Sequence, residues 1–546
     1  MSLLKDRKLS VEKLRRKADV DSFGFKTTKS VPALEGLIGQ ERAVTSLNFG
    51  LSVPSKGYNI FIVGEPGSGR TTYALEELKQ RAKDMPAPDD WVYVYNFDET
   101  GIPMAINLPA GKGKELAKDA ETALEDLKTT LAKAFDNNEY EDNKAQLVKT
   151  FQDEVNSLME ELRKWAESKN FLIKRTPQGF VNLPMIMAPP LLESAEDEAE
   201  QPQPEKPQEP VLREMQQEEY EMLSQDQQDE LQKGSEEVSQ KTLETLRTIR
   251  EREKDLKEKI KELEGEICRT AITPVLSELR VKYAAKGKLA EWLDELTQDV
   301  IANFNLFLAA ARDEAAEVDF SRYEVNSFVS NDPSNGAPVI REMNPNYYNL
   351  VGKVEYESRQ GNLYTDFRRI TPGAIHRANG GFLLLEADEL LRQFMSWDAL
   401  KRVLRCNELS IENLGEQLGY VPVSSLRPEA VPIDMKVVVV GTPYLYYLLN
   451  IYDPEFQKVF KIKAEFGMTM NRTTETEQQL AQFIASYVAH QGQLNFSAGA
   501  VGEIVEWASR LVEDQNKMTT QFNKVAEILC EATAWARMEG KKQVGL

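Results

Sequence analysis

The fold of this chain is decided by the stretch Gly64-Glu65-Pro66-Gly67-Ser68-Gly69-Arg70-Thr71-Thr72. It follows an apolar run, residues 58–63, that predicts a buried strand, and it leads into a helical pattern at 73–82. A strand, a glycine-rich turn and a helix form the context of a phosphate-binding loop, in which backbone N–H groups at the helix start surround an anion. That pattern has Lys immediately before the first threonine, and this chain has Arg70 there.

Composition bounds the other possibilities. The chain has 546 residues, 41% of them hydrophobic and 28% charged, which predicts a globular protein of several domains. Its formal net charge of -21 argues against nucleic acid as a partner, because proteins that bind phosphate backbones need Lys- and Arg-rich faces. Three scattered cysteines and two histidines support neither a disulfide framework nor a zinc site. We find no signal peptide and no apolar run long enough to cross a membrane, so we expect a cytoplasmic protein without a membrane partner.

Apolar runs elsewhere predict the remaining strands of a parallel α/β sheet around this loop. The runs are residues 91–95, 325–329, 380–387 and 435–440. We interpret the first of them as the next strand of the sheet after the loop and its helix. From Thr474 onward the pattern is helical.

A long helical insertion separates the two parts of the sheet. Apolar residues recur in steps of three and four from about 113 to 169, with a break at Asn137-Asn138, and again from 243 to 267. This spacing between charged runs predicts a helical hairpin or an antiparallel coiled coil. A small β-hairpin is predicted at 171–181, and residues 190–212, rich in Glu, Gln and Pro, are predicted to be disordered.

Three further stretches carry a resemblance to a known family. They are Tyr356-Glu357-Ser358-Arg359, Gly373-Ala374-Ile375-His376-Arg377-Ala378-Asn379-Gly380-Gly381 and Asp453-Pro454-Glu455-Phe456. They resemble the AAA+ region of Lon-like proteases, close to the LonC type and to Lon-related putative ATP-dependent proteases, and the similarity extends over residues 9–543. The resemblance implies an α/β P-loop AAA+ domain with a long helical coiled-coil insertion and an all-α C-terminal lid. It also implies a homo-oligomeric ring of six copies that feeds unfolded or damaged protein to a peptidase chamber.

The resemblance also implies domain boundaries and a nucleotide site. Residues 1–33 are an N-terminal helical segment, 34–112 and 313–473 the two parts of the AAA+ domain, 113–312 the insertion, and 474–546 the lid. ATP is expected on the P-loop, with Ile38-Gly39-Gln40 on the adenine side and Thr442 at the sensor 1 position. If Mg²⁺ is bound, Thr71 and Glu386 are its expected ligands.

Several positions depart from the family's pattern for ATP hydrolysis. Arg70 replaces the Walker A lysine, Glu386 replaces the Walker B aspartate, and Ala387 stands where a glutamate activates water. The arginine-finger and sensor 2 regions lack the expected arginines and hold Gln457, Lys458, Gln521 and Asn523. Alanine cannot accept a proton from the attacking water. From these departures together, we predict that nucleotide binding is weak or vestigial and that hydrolysis is weak or lost.

No peptidase residues are expected on this chain. The family's Ser-Lys dyad has its serine in an Asp-Gly-Pro-Ser-Ala-Gly context, which is missing. Ser497 precedes Ala498-Gly499 and has Lys541 and Lys542 downstream, but the helical run behind it predicts a helix N-cap. We therefore expect the peptidase domain to be a separate partner or to follow the last residue.

Contacts with substrate and two other functions stay open at this point. Tyr356, Gly361 and Tyr364 lie in a hairpin-like segment and are candidate polypeptide contacts, although packing on a sheet edge explains both tyrosines as well. An active AAA+ NTPase that remodels proteins would use Asp388 or Glu389 as its acid. A non-catalytic scaffold would bind partners through the coiled-coil arm.

Overall fold

The computed structural model describes residues 8–10, 13–34, 36–176, 179–188, 211–312, 318–359, 362–414 and 426–546. Internal contacts divide the chain into two compact units. One comprises Met1–Thr122, Lys286–Trp292 and Asp319–Leu546, and the other comprises Ala123–Ala285 and Leu293–Val318. No helix in the described ranges is both long and apolar enough to cross a membrane.

The first part of the chain forms the P-loop and the start of a second, smaller sheet. Its elements are α1 (Glu41–Ser52), β1 (Asn59–Val63), α2 (Arg70–Lys83), β2 (Asp90–Val94), β3 (Met104–Leu108) and α3 (Lys112–Phe135).

The insertion is mainly helical, as predicted. Its elements are α4 (Asn138–Ser168), β4 (Phe171–Thr176), β5 (Gly179–Ala188), β6 (Val211–Glu214), α5 (Gln217–Glu221), α6 (Gln225–Lys282), α7 (Lys288–Ala302) and α8 (Phe304–Arg312). The helical pattern is interrupted at Asn137, as predicted, and the Asn137 side chain caps α4. The predicted hairpin is the antiparallel pair β4–β5. Helices α4 and α6 run antiparallel, because Tyr140 bonds Glu264 while Lys169, just past α4, pairs with Glu237. Nearly all of the segment predicted to be disordered, residues 190–210, lies outside the described residues.

The remaining elements complete the α/β region and the lid. They are β7 (Val325–Val329), β8 (Val339–Glu342), α9 (Tyr347–Val351), β9 (Gly352–Val354), β10 (Glu357–Arg359), β11 (Asn362–Tyr364), β12 (Ile370–Pro372), α10 (Ala374–Arg377), β13 (Phe382–Glu386), α11 (Ala387–Arg392), α12 (Ser396–Cys406), β14 (Glu408–Leu409), β15 (Val431–Pro432), β16 (Lys436–Gly441), α13 (Pro443–Tyr452), α14 (Phe456–Val459), β17 (Phe460–Glu465), β18 (Thr469–Asn471), α15 (Thr474–His490), α16 (Ala498–Arg510), β19 (Lys517–Thr519) and α17 (Phe522–Met538).

The parallel sheet at the centre of the α/β region has the strand order β17-β1-β16-β13-β8. Every neighbouring pair in it is parallel, and β1 is buried along its whole length. In register, Val63 lies beside Gly441 and Glu386 beside Val440. The carboxyl ends of β1, β16 and β13 therefore meet at one edge, where ligands of open α/β sheets bind.

Two strand predictions were wrong. The runs at 91–95 and 325–329 form β2 and β7, but neither joins the parallel sheet; β2 pairs antiparallel with β3 and β7 in a separate three-stranded sheet. A short, fully apolar run indicates burial on both faces and says nothing about the direction of its partner. The sequence analysis missed strand β3. The connection from β2 to β3 is too short for a parallel crossover, so the two strands pair antiparallel.

The N-terminal segment lies on the lid. Its described residues contain the 3₁₀ helices Val20–Phe23 and Thr28–Ser30 in place of a long helix. The guanidinium of Arg15 forms ion pairs with Glu503 and Glu506 of α16, and the Ala18 N–H donates to the Glu506 carboxylate at 3.0 Å. Backbone groups that would close helical turns are thus engaged by the lid.

Candidate nucleotide site

The P-loop turn has the backbone geometry that a phosphate group requires. Gly67 and Gly69 have φ angles of 84° and 78°, a region that glycine enters without strain. The Ser68 hydroxyl donates to the Glu65 carbonyl at 2.9 Å and closes the turn. Helix α2 then begins at Arg70, so the unpaired N–H groups of its first turn are directed to one point at the sheet edge.

The guanidinium of Arg70 is directed back into the protein. Its Nη1 donates to the carbonyl oxygen of Gly64 and, at 2.7 Å, to that of Gly441. Burial lowers the pKa of Arg70, and the nearby carboxylates of Glu386, Glu65 and Asp388 oppose that shift. Arg70 therefore joins the ends of β1 and β16 as a structural cation, and its charge is directed at carbonyl oxygens.

Glu386 ends strand β13 next to the P-loop. Its Oε1 accepts a hydrogen bond from the Thr71 hydroxyl at 3.1 Å, the pairing expected of the two Mg²⁺ ligands in a P-loop protein. The same oxygen lies 3.5 Å from Nη2 of Arg341, a residue of strand β8. A cationic side chain thus stands beside the carboxylate oxygen that a metal ion would use.

Ala387 is the residue predicted to stand where the family has the acid that activates water. Its side chain is buried at the start of α11, and a Cβ added to Gly441 would lie only 2.9 Å from its methyl carbon. The next residue, Asp388, is exposed, while Glu389 pairs with Arg392 at 3.6 Å. The predicted hydrolytic position therefore holds a packed methyl group.

The predicted sensor 1 and adenine-side residues make contacts of their own. The Thr442 hydroxyl caps α13 by accepting the Leu445 N–H at 3.4 Å. Ile38 is buried, and Gly39 has a φ of 64° against Met470. The side chain of Gln40 both donates to the Gly467 carbonyl and accepts its N–H, each at 2.9 Å, and so ties this segment to the chain entering the lid.

The lid reaches the P-loop through Asn523, one of the two residues in the predicted sensor 2 region. Its carboxamide fills the space in front of Gly67, because a Cβ added there would come within 2.0 Å of the amide oxygen. The Asn523 N–H also faces the Gly67 carbonyl at 3.4 Å. At the arginine-finger position, the Gln457 amide donates to Asn450 at 2.7 Å. A neutral amide thus contacts the turn where the family pattern calls for a cation.

These contacts decide which parts of a magnesium nucleotide the site fits. The turn and the helix start fit a phosphate group. The metal position offers two oxygen-bearing side chains, Thr71 and Glu386, and the second is already paired with Arg341. With Arg341 beside the shared carboxylate oxygen, these side chains as they stand do not fit Mg²⁺.

Comparison with protein families supports the same assignment of the region. Residues 335–467 match the LonB-like AAA domain, residues 495–546 the lid domain of the archaeal LonB AAA+ ATPase, and residues 90–123 the Lon-like LonC helical domain. The chain is a Lon-like AAA+ protein. The AAA+ domain is a nucleotide-binding fold, and this family is associated with ATP-dependent proteolysis.

Other comparisons add little to the Lon-like assignment. No curated protein matches the chain. Two crystal structures of NtrX from Brucella abortus, one of them in complex with ADP, match 51% of this chain with 11% and 12% identity and TM-scores of 0.24. The match covers 58% and 56% of those two chains.

The candidate substrate residues of this Lon-like protein lie on and beside a two-stranded hairpin. Strands β10 and β11 pair antiparallel, which confirms the predicted hairpin, and its turn with Gly361 lies outside the described residues. Tyr364 is half-buried opposite Glu357 and lines a cavity of about 310 Å³. Tyr356 is also half-buried, and its hydroxyl accepts from the Asn413 amide at 3.3 Å.

Ser497 is the N-cap of α16, as predicted. Its Oγ accepts the Ala500 N–H at 3.2 Å. Lys541 pairs with Glu539 at 2.6 Å, and Lys542 is exposed. The serine therefore has a structural partner, and the resemblance to a dyad is confined to spacing in sequence.

Sequence reasoning missed Arg341 and the double hydrogen bond of Gln40. Arg341 belongs to β8, an edge strand of four residues with only two apolar ones, which gives too short a pattern to identify. The partner of Gln40 is Gly467, which lies 427 residues further along the chain, and no local sequence pattern marks that pairing.

Proposed function

We propose that this protein is the AAA+ module of a Lon-like protease system, which recruits and gates unfolded polypeptide for a Ser-Lys peptidase, with ATP hydrolysis lost. The family assignment supports the link to proteolysis, and a homo-oligomeric ring of six copies is part of the proposal. The observation that carries the loss of hydrolysis is the buried methyl group of Ala387. A packed alanine accepts no proton from water, and the Arg70 guanidinium donates to backbone carbonyl oxygens instead.

The contacts around the cradle support gating without a hydrolytic cycle. Several residues stabilise phosphoryl transfer in active ATPases. Loss of the trans-acting arginine alone lowers the rate by a factor of about 10³–10⁵. Here the acid, the lysine and the sensor 2 arginine are all replaced, by Ala387, Arg70 and Asn523. In this proposal, nucleotide contributes weak binding at most, and polypeptide is held by surface contacts of the ring.

Steady-state ATP turnover by the full-length chain tests the first half of the proposal. We expect no phosphate release above that of the buffer, and no change in the Asp388→Asn variant. Turnover of about one per second or more, the lower end of ordinary enzyme rates, that Asp388→Asn abolishes would contradict the loss of hydrolysis. That result would favour the alternative of an active remodelling NTPase with Asp388 as its acid.

Capture of an unfolded model protein tests the second half. The double variant Tyr356→Ala/Tyr364→Ala is expected to weaken capture about tenfold, because tyrosines commonly dominate protein contacts. Tyr452→Ala serves as a matched control, since Tyr452 is 79% exposed on α13 and lies outside the hairpin. Equal capture by the double variant and the control would remove both tyrosines from the proposal. If both variants capture the unfolded protein normally and capture depends only on the helical insertion, the result would favour the scaffold alternative.

A further inference from the structure

Arg341 is placed at the metal position by the geometry of the sheet. Strand β8 is the edge strand next to β13, and Arg341 lies opposite Leu384, two residues before Glu386. From there its Nη2 comes within 3.5 Å of Glu386 Oε1. The two side chains are 37% and 27% exposed, so the pair lies at the surface of the cradle, where a ligand could reach it.

The shared oxygen leaves little room for a divalent cation. Glu386 Oε1 already has two partners, the Thr71 hydroxyl and the Arg341 guanidinium. Mg²⁺ prefers an octahedral set of oxygen ligands at about 2.0–2.1 Å and would bring two positive charges next to that guanidinium. Like charges this close repel each other, so the ion would have to displace Arg341 before it could bind.

A guanidinium can supply part of what the metal supplies. It is permanently charged, planar and able to hold phosphate oxygens through two parallel hydrogen bonds. Arg70 is unavailable for this role, because its Nη1 is directed at the Gly64 and Gly441 carbonyls. Arg341 shares Glu386 Oε1 with the Thr71 hydroxyl, which places its guanidinium beside the threonine of the P-loop.

We propose that Arg341 replaces the divalent cation at this site. In the free protein it neutralises Glu386, and on ligand binding it contacts the terminal phosphates of a nucleotide or of an inorganic polyphosphate held by the turn. Phosphate binding is therefore independent of Mg²⁺. This inference rests on the proposed function only in requiring no hydrolysis, for which a metal would be needed.

Calorimetric titration of the full-length chain with ADP, ATP and tripolyphosphate, each with excess Mg²⁺ and with EDTA, tests the inference. We expect dissociation constants that differ by less than about twofold between the two conditions. Arg341→Gln is expected to weaken binding in EDTA about tenfold and to make it respond to Mg²⁺, because Glu386 is then free to hold the ion. Arg341→Lys keeps the charge and should recover much of the metal-independent binding. Binding of both nucleotides and tripolyphosphate would identify the phosphates as the recognised group, and binding of nucleotides alone would add the base.

Arg377→Gln is the matched control. Arg377 pairs with Glu342, the neighbour of Arg341 on β8, at 3.3 Å, so this variant also removes one ion pair from the strand. It should bind as the natural sequence does, with and without metal.

Two outcomes would overturn the inference. One is a dissociation constant of the natural sequence that is at least tenfold lower with Mg²⁺ than with EDTA, which would make Glu386 a metal ligand. The other is no binding of any phosphate probe under either condition. Neither outcome restores ATP turnover, so both leave the proposed loss of hydrolysis standing, whereas rapid turnover would contradict the proposed function directly.

Discussion

The two halves of the nucleotide site are held by different means. In the α/β half, the turn rests on a buried parallel sheet, and Arg70 joins the carbonyl oxygens of Gly64 and Gly441. In the lid half, helices are fixed by caps such as Ser497, and Asn523 contacts the turn. The backbone of a phosphate site has thus persisted while its side chains have taken structural roles. We expect substitutions in the α/β half to cost more free energy of unfolding than those in the lid half.

The largest effect is expected where the two halves meet. Gly67→Ala introduces a methyl group at a φ of 84°, in space already filled by the Asn523 carboxamide. Backbone strain and overpacking together should lower the free energy of unfolding by about 3 kcal/mol, measured by urea denaturation. Gly101→Ala, with no atom within 4 Å of the added methyl, is the control. Asn523→Ala should recover part of the loss, and a Gly67→Ala protein as stable as the control would show that the lid does not press on the turn.

Arg70→Ala comes next. It removes a buried guanidinium from two carbonyl oxygens and should destabilise the β1–β16 pair by about 2.5 kcal/mol, since hydrogen bonds to charged groups contribute about 1.5–3 kcal/mol each. Amide hydrogen exchange in β1 and β16 reports this locally. Arg81→Ala, at an exposed position near the end of the same helix, should leave that exchange unchanged. Unchanged amide exchange in both variants would mean that the Arg70 guanidinium does not stabilise the β1–β16 pair.

Acid should destabilise the α/β half through His376. Burial lowers its pKa to about 3 from 6.5, with the Val351 backbone opposing the shift, so the folded protein holds it neutral while the unfolded chain binds a proton. Stability therefore falls as pH drops from 6.5 towards 3, by about 2 kcal/mol between pH 7 and pH 5. His376→Phe keeps a ring beside Phe328 and should remove this part of the urea-midpoint pH dependence. His490→Gln, which removes the other histidine of the chain, should retain it, and identical pH profiles in all three proteins would contradict the assignment.

The smallest effect is expected in the lid. Ser497→Ala deletes the cap of α16 and should cost about 1 kcal/mol, measured by thermal or urea unfolding. Ser497→Asp can accept the same Ala500 N–H and should behave like the natural sequence. A loss larger than that of Arg70→Ala would reverse the ranking of the two halves. Peptide cleavage by the natural sequence that Ser497→Ala abolishes without loss of stability would instead identify Ser497 as a nucleophile.

The elements that could be predicted are those whose signal is local. Strands β1, β13 and β16 are buried apolar runs that end at a glycine turn, an acid and Gly441-Thr442, and the sequence marks each end. The Ser497 cap is equally local, because a serine before a helical pattern has one common use. The interruption of the helix at Asn137 could also be predicted, because an asparagine before a helical pattern is a common N-cap.

What could not be predicted depends on residues far apart in the chain. The antiparallel partners of β2 lie at β3 and β7, and a buried run carries no record of partner direction. The contact between Asn523 and Gly67 and the pairing of Arg341 with Glu386 exist only after folding. The sequence indicated which side chains differ from the family pattern, and only the folded structure shows where those side chains point.

The double hydrogen bond of Gln40 with Gly467 has a chemical consequence. Hydrolysis of that side-chain amide to glutamate would replace its donor with a carboxylate oxygen facing the Gly467 carbonyl. Attraction would become repulsion at the point where the chain enters the lid. Gln40 is only 3% exposed, and this shielding from water slows the deamidation that would break the link. Ageing of the protein at this residue should therefore follow transient opening of the lid and should report how often it opens.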